Sequence, residues 1–208
     1  MSNQSELSNF AATKTPISQE ALDQLFYEAR THSTWLPEPV PVELLRKAYE
    51  LARLGPTSAN GSPARFVFLT TPAAKALLQP VLAPGNVDKT MAAPVTVIIA
   101  WDTEFHEHLP RLFPQADIRS YFVGNKPLID ENAFRNSSLQ AAYFMLASRA
   151  LGLDCGPMSG FDADKLNAAF FADGKWKVNL LCNLGFGDAN KLHPRDPRLK
   201  FEEAAVIL

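Results

Sequence analysis

Apolar positions in the first half of the chain recur at helical spacing, interrupted by two runs with the character of buried strands. From Ser18 to Arg30, residues Ala21, Leu22, Leu25, Phe26 and Ala29 stand three and four apart, which places them on one face of a helix. Ser18 supplies the N-cap oxygen. A second helix is predicted from Pro41 to Leu54: proline suits the first turn, Leu44, Leu45, Ala48, Leu51 and Ala52 form the stripe, and Gly55 closes it. Arg65 to Thr70 is rich in Phe and Val and reads as a strand, followed by a short helix that begins near Pro72 and is broken by Pro80. Val95 to Trp101 is almost wholly apolar, the pattern of a strand covered on both faces.

The longest helical signal runs from about Glu131 to Leu151, with Phe134, Ser137, Ala141, Phe144, Met145 and Ser148 on one face and Gly152 at its end. Asp162 caps a further short helix through Phe170, and Val178 to Phe186 supplies another strand before a proline-rich tail. A central sheet between helices follows. The 208 residues, 47% of them hydrophobic, suffice for one core. Residues 1–16 are polar and read as a flexible arm, with residues 17–208 as a single domain. That arm lacks the cationic start and apolar stretch of a secretory signal.

Charge and cysteine content narrow the function. The formal charge is -2, and the basic residues are scattered with no dense stripe to follow a phosphate backbone, so nucleic acid is not expected as a partner. No apolar run reaches the roughly 18 residues a membrane span needs. Cys155 and Cys182 stand far apart, outside any CxxC spacing, which fits a reducing cytoplasm and gives no thiolate metal site.

Several familiar motifs fail. Gly185 and Gly187 follow a strand, but the third glycine and the helix of a dinucleotide-binding turn are missing. Gly156-Pro157-Met158-Ser159-Gly160 does not centre its serine as a nucleophile elbow requires. His106 and His108 stand beside Glu104, Glu107 and Pro110 and read as a solvated turn rather than a metal site. No P-loop signature occurs.

Two polar clusters remain. Arg30-Thr31-His32-Ser33 joins a guanidinium, an imidazole and two hydroxyls within four residues, donors suited to a phosphate monoester; the same run also reads as an ordinary cationic helix end. Gly55-Pro56-Thr57-Ser58-Ala59-Asn60-Gly61-Ser62-Pro63 offers hydroxyls and amides on a constrained turn, or is simply a connecting loop.

This loop resembles the Pro-Ser-Ser-x-Asn-x-Gln-Pro segment of nitroreductases, keeping Pro56, Ser58, Asn60 and Pro63 and departing at Thr57 and Ser62. In that family the cluster near the first helix meets the phosphate and ribityl chain of FMN, which implies Arg30, Thr31, His32 and Ser33 here. Asn86 and Lys89 match an Asn and a Lys that face the flavin's pyrimidine side, where a cation stabilises the charge of the reduced ring. Pro157-Met158-Ser159-Gly160-Phe161-Asp162 is similar to Pro-Ile-Glu-Gly-Phe-Asp, whose backbone lies along the ring, with Ser159 replacing the usual Glu. The tail resembles Pro-Lys-x-Arg-Leu, with Arg198-Leu199 matched and Arg195 or Lys200 as the second cation. The Gly55–Asn60 loop, Phe134-Arg135-Asn136-Ser137-Ser138 and Gly156–Asp162 resemble the pyrimidine-utilisation branch, whose members are malonic semialdehyde reductases.

The resemblance implies an α+β fold with a central mixed β-sheet flanked by helices, a homodimer with FMN at its interface, and NADH or NADPH as electron donor to a small-molecule acceptor. No side chain is expected to act as an obligatory acid or nucleophile, so the catalytic set is empty, and no metal is implied. The irregular stretch from Arg111 to Lys126 is the expected acceptor-side lid, with Arg119 or Lys126 to meet an acceptor carboxylate. The alternatives are a general nitro, quinone or flavin reductase, a non-catalytic flavin-binding protein, and a scaffold without cofactor.

Overall fold

The computed structural model describes residues 15–208, so the arm expected over 1–16 lies outside the described residues except for its last two. Ser18 caps helix α1 (Gln19–Leu22), its hydroxyl accepting from the Ala21 amide at 3.3 Å. From Asp23 to Tyr27 the helix widens into a π turn and stops short of the predicted Arg30. The carbonyls of Tyr27 and Ala29 instead accept from the Arg195 guanidinium at 2.7 and 2.8 Å, which ties the first helix to the tail. Helix α2 (Val42–Ala52) leads into β1 (Ala64–Leu69) and α3 (Pro72–Leu78), which Thr71 caps.

Helix α4 (Pro84–Ala92) had no clear stripe in the sequence, because only part of one side meets the core. It precedes β2 (Val95–Asp102) and the short α5 (Leu109–Leu112). Helix α6 (Lys126–Ala150) begins earlier than its apolar pattern predicts, because the Asn125 side chain caps the Leu128 amide and Pro127 occupies the first turn. The chain continues through β3 (Asp154–Met158), α7 (Ala163–Phe170), β4 (Trp176–Gly185) and α8 (Phe201–Ala204). Asp162 caps α7 as expected, accepting from the Lys165 amide at 3.1 Å.

The four strands form one sheet in the order β1-β2-β4-β3, with antiparallel neighbours throughout. Its parallel component is a single bridge between Thr31 and Cys155 on the edge strand β3, after which Trp35 and Leu36 pair with Gly187 and Phe186 beyond the end of β4. One face, carrying Val95, Val97, Ile99, Cys182 and Leu184, packs on α2 and α6. The other, carrying Ile98, Ala100 and Leu181, packs against α3, α7 and the segment from Val81 to Val87. Strand β2 is buried along its whole length, which accounts for its uninterrupted apolar run. Both cysteines are buried and unpaired. Among the described residues no helix is long and apolar enough to cross a membrane.

The histidine pair divides. His106 is buried beside Phe105 and Phe122, correcting the expectation of a solvated turn, while His108 remains exposed. The correction follows from a separate apolar cluster of Trp101, Phe105, Leu109, Phe122, Ile129 and Ala133 that draws the 105–108 turn inward.

Candidate functional site

The two ends of the described chain meet in a cavity of about 390 Å³ lined by Arg30, Thr31 and Ser33 from one side and Lys191, His193, Arg195 and Arg198 from the other. The guanidinium groups are fixed by backbone oxygens rather than carboxylates. Arg30 donates to the His193 carbonyl at 2.5 Å, and Arg198 donates to those of Asp196 and Pro197 at 3.1 and 3.0 Å. Among the described residues Asp196 is the one carboxylate on the cavity wall. Cations gathered around a single acid form a receptor for an anion with several oxygens.

His32 takes a different position from its neighbours. It is buried with Nε2 3.4 Å from Asp154 Oδ1, packs against Gly187, and does not line the cavity. Alternation along the extended 31–36 segment explains this: Thr31 and Ser33 are exposed, and His32 between them points inward.

The same sheet edge carries a second group. Trp35 Nε1 donates to the Lys89 carbonyl at 3.2 Å, and the buried Asn183 donates to that oxygen at 3.3 Å, so the end of α4 is pinned to the sheet. Asn86 Nδ2 donates to the Gly160 carbonyl at 2.7 Å, and a Cβ on Gly160 would stand 2.5 Å from that nitrogen. A side chain at this position would displace the Asn86 amide from the Gly160 carbonyl. Thr90 Oγ1 lies 3.4 Å from Met158 Sδ, and Ser159 is exposed. Lys89 is half-buried and has no carboxylate partner among the described residues.

The Pro56–Ser62 loop lies elsewhere. It precedes β1, at the opposite edge of the sheet from β3, roughly 14 Å away at the usual strand spacing. Ala59, Asn60 and Ser62 all have positive φ, of 47°, 51° and 43°, a costly conformation for residues with a Cβ. The loop is held in it by the Ser58 amide donating to Asn136 Oδ1 at 2.8 Å, the Ser62 amide to Thr57 Oγ1 at 3.1 Å, and Asn60 Nδ2 to the Leu112 carbonyl at 2.8 Å. Pro56 is exposed at its start. One protomer thus joins Arg30, Thr31, Ser33, Arg195 and Arg198, and separately joins Asn86, Lys89, Pro157, Met158, Ser159 and Gly160 along the same edge. It does not bring Pro56, Thr57, Ser58 and Asn60 to them.

The Nitroreductase family model matches residues 27–186, which span the first-helix cluster, the strained loop and all four strands. The chain belongs to the Nitroreductase family. The chain is 58% identical over 192 residues, 92% of its length and 98% of the relative's, to a Ralstonia nicotianae protein provisionally named NADH dehydrogenase/NAD(P)H nitroreductase. Its fold matches the crystal structure of a provisionally named nitroreductase from Bacillus subtilis with TM-score 0.80 at 21% identity, covering 92% of this chain and 100% of that one. A nitroreductase structure from Exiguobacterium sibiricum, also provisionally named and titled as a complex with FMN, matches with TM-score 0.78 at 20% identity, covering 95% and 100% of the two chains.

In this chain the two cations expected to meet an acceptor are already engaged. Arg119 donates through Nε and Nη2 to the two Glu107 oxygens, each at 2.8 Å, and this hydrogen bonding holds the Glu107 carboxyl below its ordinary range. Lys126 pairs with Asp130 one turn along α6, which raises the lysine. The expected lid is partly helical: α5 begins just before it, a 3-10 turn spans Arg119–Tyr121, and Lys126 opens α6.

Arg111, on α5, lines an open groove of about 1170 Å³ together with Asn60 and Ser62, and has no carboxylate partner among the described residues. The sequence reading missed it because nothing in its spacing separates it from other surface cations. Arg149, Lys191 and His193 were missed for the same reason; only the cavity they share with Arg30 sets them apart.

Proposed function

We propose that this member of the Nitroreductase family is a homodimeric FMN-dependent NAD(P)H oxidoreductase that reduces malonic semialdehyde to 3-hydroxypropanoate in pyrimidine catabolism. The observation that carries the flavin reading is the meeting of Arg30, Thr31 and Ser33 with Arg195 and Arg198 around one cavity. Its donor chemistry suits a phosphate monoester, and its wall is continuous with the segment bordering β3, where Asn86 and Lys89 stand beside Met158 to Gly160.

The fit to FMN is specific in kind. Arg30, Thr31, Ser33, Arg195 and Arg198 would hold the phosphate, and Lys89 would supply a cation to the pyrimidine side. Asn86 fixes the backbone at Gly160 that would lie along the ring, while buried His32 holds the strand that carries Thr31 and Ser33. When bound, FMN supplies reversible hydride chemistry. The balanced reaction takes NAD(P)H, one proton and the aldehyde to NAD(P)+ and the alcohol. The protein orients the reactants, places positive charge, and excludes water.

The homodimer is supported by the separation of the Pro56–Ser62 loop from the β3 edge. If that loop serves the same flavin, a second copy must deliver it. Helix α6 supports this: one side is buried on its own sheet, and Phe134, Leu139 and Tyr143 are exposed at 53%, 47% and 41%. A long helix apolar on more than one side is suited to burial between two bodies.

The acceptor assignment rests on the resemblance of the Gly55–Asn60, Phe134–Ser138 and Gly156–Asp162 segments to the malonic semialdehyde reductase branch. An acceptor carboxylate needs a cation. Arg119 and Lys126 would have to leave Glu107 and Asp130, whereas Arg111 travels with the flavin loop through the Asn60 to Leu112 bond and is free of such a pair among the described residues. The second reading is general nitro or quinone reduction, and its nitro part is favoured by the name of the 58% identical relative.

Anaerobic stopped flow tests both. NADH or NADPH should bleach the flavin, and malonic semialdehyde should restore the yellow band faster than a nitroarene or quinone. Recovery with the nitroarene or quinone alone would favour the second reading, and no bleaching with either nicotinamide would leave a flavin-binding protein without this activity.

A further inference from the structure

We propose that His108, oriented by the buried Asp102, is the catalytic acid that protonates the acceptor oxygen when the aldehyde is reduced. This deepens the aldehyde reading above and rests on it. The resemblance implies no acid, yet the reaction consumes a proton, and a positioned side chain delivers one faster than bulk water does. His108 lines the open groove that also carries Asn60, Ser62 and Arg111. It therefore shares a wall with the cation proposed for the acceptor carboxylate and with the loop proposed to reach the flavin of a second copy. His108 and Arg111 stand three residues apart, where the 3-10 turn Phe105–His108 runs into α5.

Behind the imidazole stands a fixed carboxylate. Asp102, at the end of β2, is 5% exposed, and its Oδ2 lies 3.7 Å from His108 Nε2. The same oxygen accepts from Arg65 Nη2 at 2.5 Å, and Oδ1 accepts from the Glu104 amide at 2.8 Å. Arg65 is itself held, donating through Nη1 to the carbonyls of Ser62 and Ala64 at 3.0 and 2.8 Å. The Arg65 ion pair alone accounts for a buried carboxylate, but not for where the histidine sits. His106 turns inward beside Phe105 and Phe122, whereas the His108 side chain is 45% exposed, with Nε2 toward Asp102 and the ring on the groove. An imidazole exchanges protons near neutrality, and a carboxylate behind one nitrogen leaves the other to meet the substrate. The step balances. As hydride drawn from NAD(P)H forms the new C–H bond, the carbonyl π pair moves onto oxygen and takes the Nδ1 proton. The aldehyde is reduced, NAD(P)H is oxidised, and water in the groove returns the proton to the imidazole.

Single-turnover reoxidation of the reduced holoenzyme, followed by the return of the yellow band, separates proton delivery from structure. Malonic semialdehyde needs a proton as it accepts hydride, and ferricyanide accepts electrons without one. For His108→Gln the rate with the aldehyde should fall about 100-fold or more, the scale of general acid catalysis, while the ferricyanide rate changes by less than about 2-fold. Asp102→Asn should lose part of the aldehyde rate and keep the ferricyanide rate. With the aldehyde, the parent's rate should decline as pH rises through the imidazole range, and His108→Gln should lack that limb. The charges facing His108 are Asp102 of β2, Arg65 of β1, Glu107 beside it and Arg111 on α5; of these only the imidazole titrates near neutrality. Equal slowing with both acceptors, or an unchanged aldehyde rate in His108→Gln, would overturn the assignment. A parent enzyme reoxidised by ferricyanide but not by the aldehyde would overturn the acceptor reading and this inference with it.

Discussion

Gly187 lies so close to His32 that a Cβ added to it would stand 2.0 Å from the imidazole Nδ1. The contact closes a small lock. The Gly187 amide donates to Asp154 Oδ2 at 2.8 Å, and the other Asp154 oxygen faces His32 Nε2 at 3.4 Å. Three segments are joined: the strand bearing Thr31 and Ser33, the start of β3, and the turn after β4. Gly187→Ala has no room here, because the imidazole is itself buried. The variant should lose about 1–3 kcal/mol of stability in urea unfolding, the cost of overpacking, and bind FMN less tightly. Gly187→Ala combined with His32→Ala should recover part of the stability. An unchanged unfolding midpoint for Gly187→Ala would show that the lock is loose.

The strained Pro56–Ser62 loop depends on one buried side chain. Asn136, 3% exposed, accepts from the Ser58 amide and donates to the carbonyl and side chain of Asn132 at 2.8 and 2.9 Å. Asn136→Leu leaves the Ser58 amide without that acceptor and should cost about 1–3 kcal/mol. Hydrogen exchange should locate the change: amides of residues 57–62 lose protection in the variant, while those of β2 keep theirs.

Lys75 gives the fold a pH dependence. It is 5% exposed, its ammonium donates to the carbonyls of Met91 and Ala93 at the end of α4, and burial pushes its pKa down to about 8. The unfolded chain keeps the ordinary value of about 10.4. Below pH 8 both states bind the proton and the burial penalty is fully present. Between about 8 and 10.4 the unfolded state binds more protons, so Lys75 makes stability rise with pH. Comparing denaturation of the parent and Lys75→Met across this range should show that increment in the parent alone. Parallel curves would place Lys75 in water rather than against α4.

The acceptor assignment separates three cations. Arg111→Ala should raise KM for malonic semialdehyde several-fold and leave KM for a neutral quinone unchanged, since only the first carries a carboxylate. Arg119→Ala and Lys126→Ala should leave that ratio near the parent's, because both residues are spent on Glu107 and Asp130. A selective effect from Arg119 or Lys126 instead would return the role to them.

The sequence was most legible where one physical cause fixed the pattern. Strand β2 is apolar throughout because both its faces are covered, and Ser18 and Asp162 declare helix starts through their side-chain oxygens. Helix α4 and strand β3 were less visible. The first carries Gly85 and Asn86 in its opening turn, and the second carries Gly156 and Pro157, so propensity argues against elements that tertiary packing and the β4 ladder create. Arg30, Thr31 and Ser33 could be singled out as neighbours in sequence, but their inward neighbour His32 could not be told apart until the strand alternation was seen. Arg149 had no signal at all. It resembles any cation in a last helical turn, and only the tail folding back across α1 gives it company.

Calorimetric titration of the purified apoprotein with FMN tests the central claim most directly. One FMN per protomer of a dimer is expected, with affinity weakened about 10-fold or more in Arg30→Ala and in Arg195→Ala and further by their combination. A protein that remains monomeric and takes up no heat from FMN, or one whose affinity is indifferent to both arginines, would contradict the account.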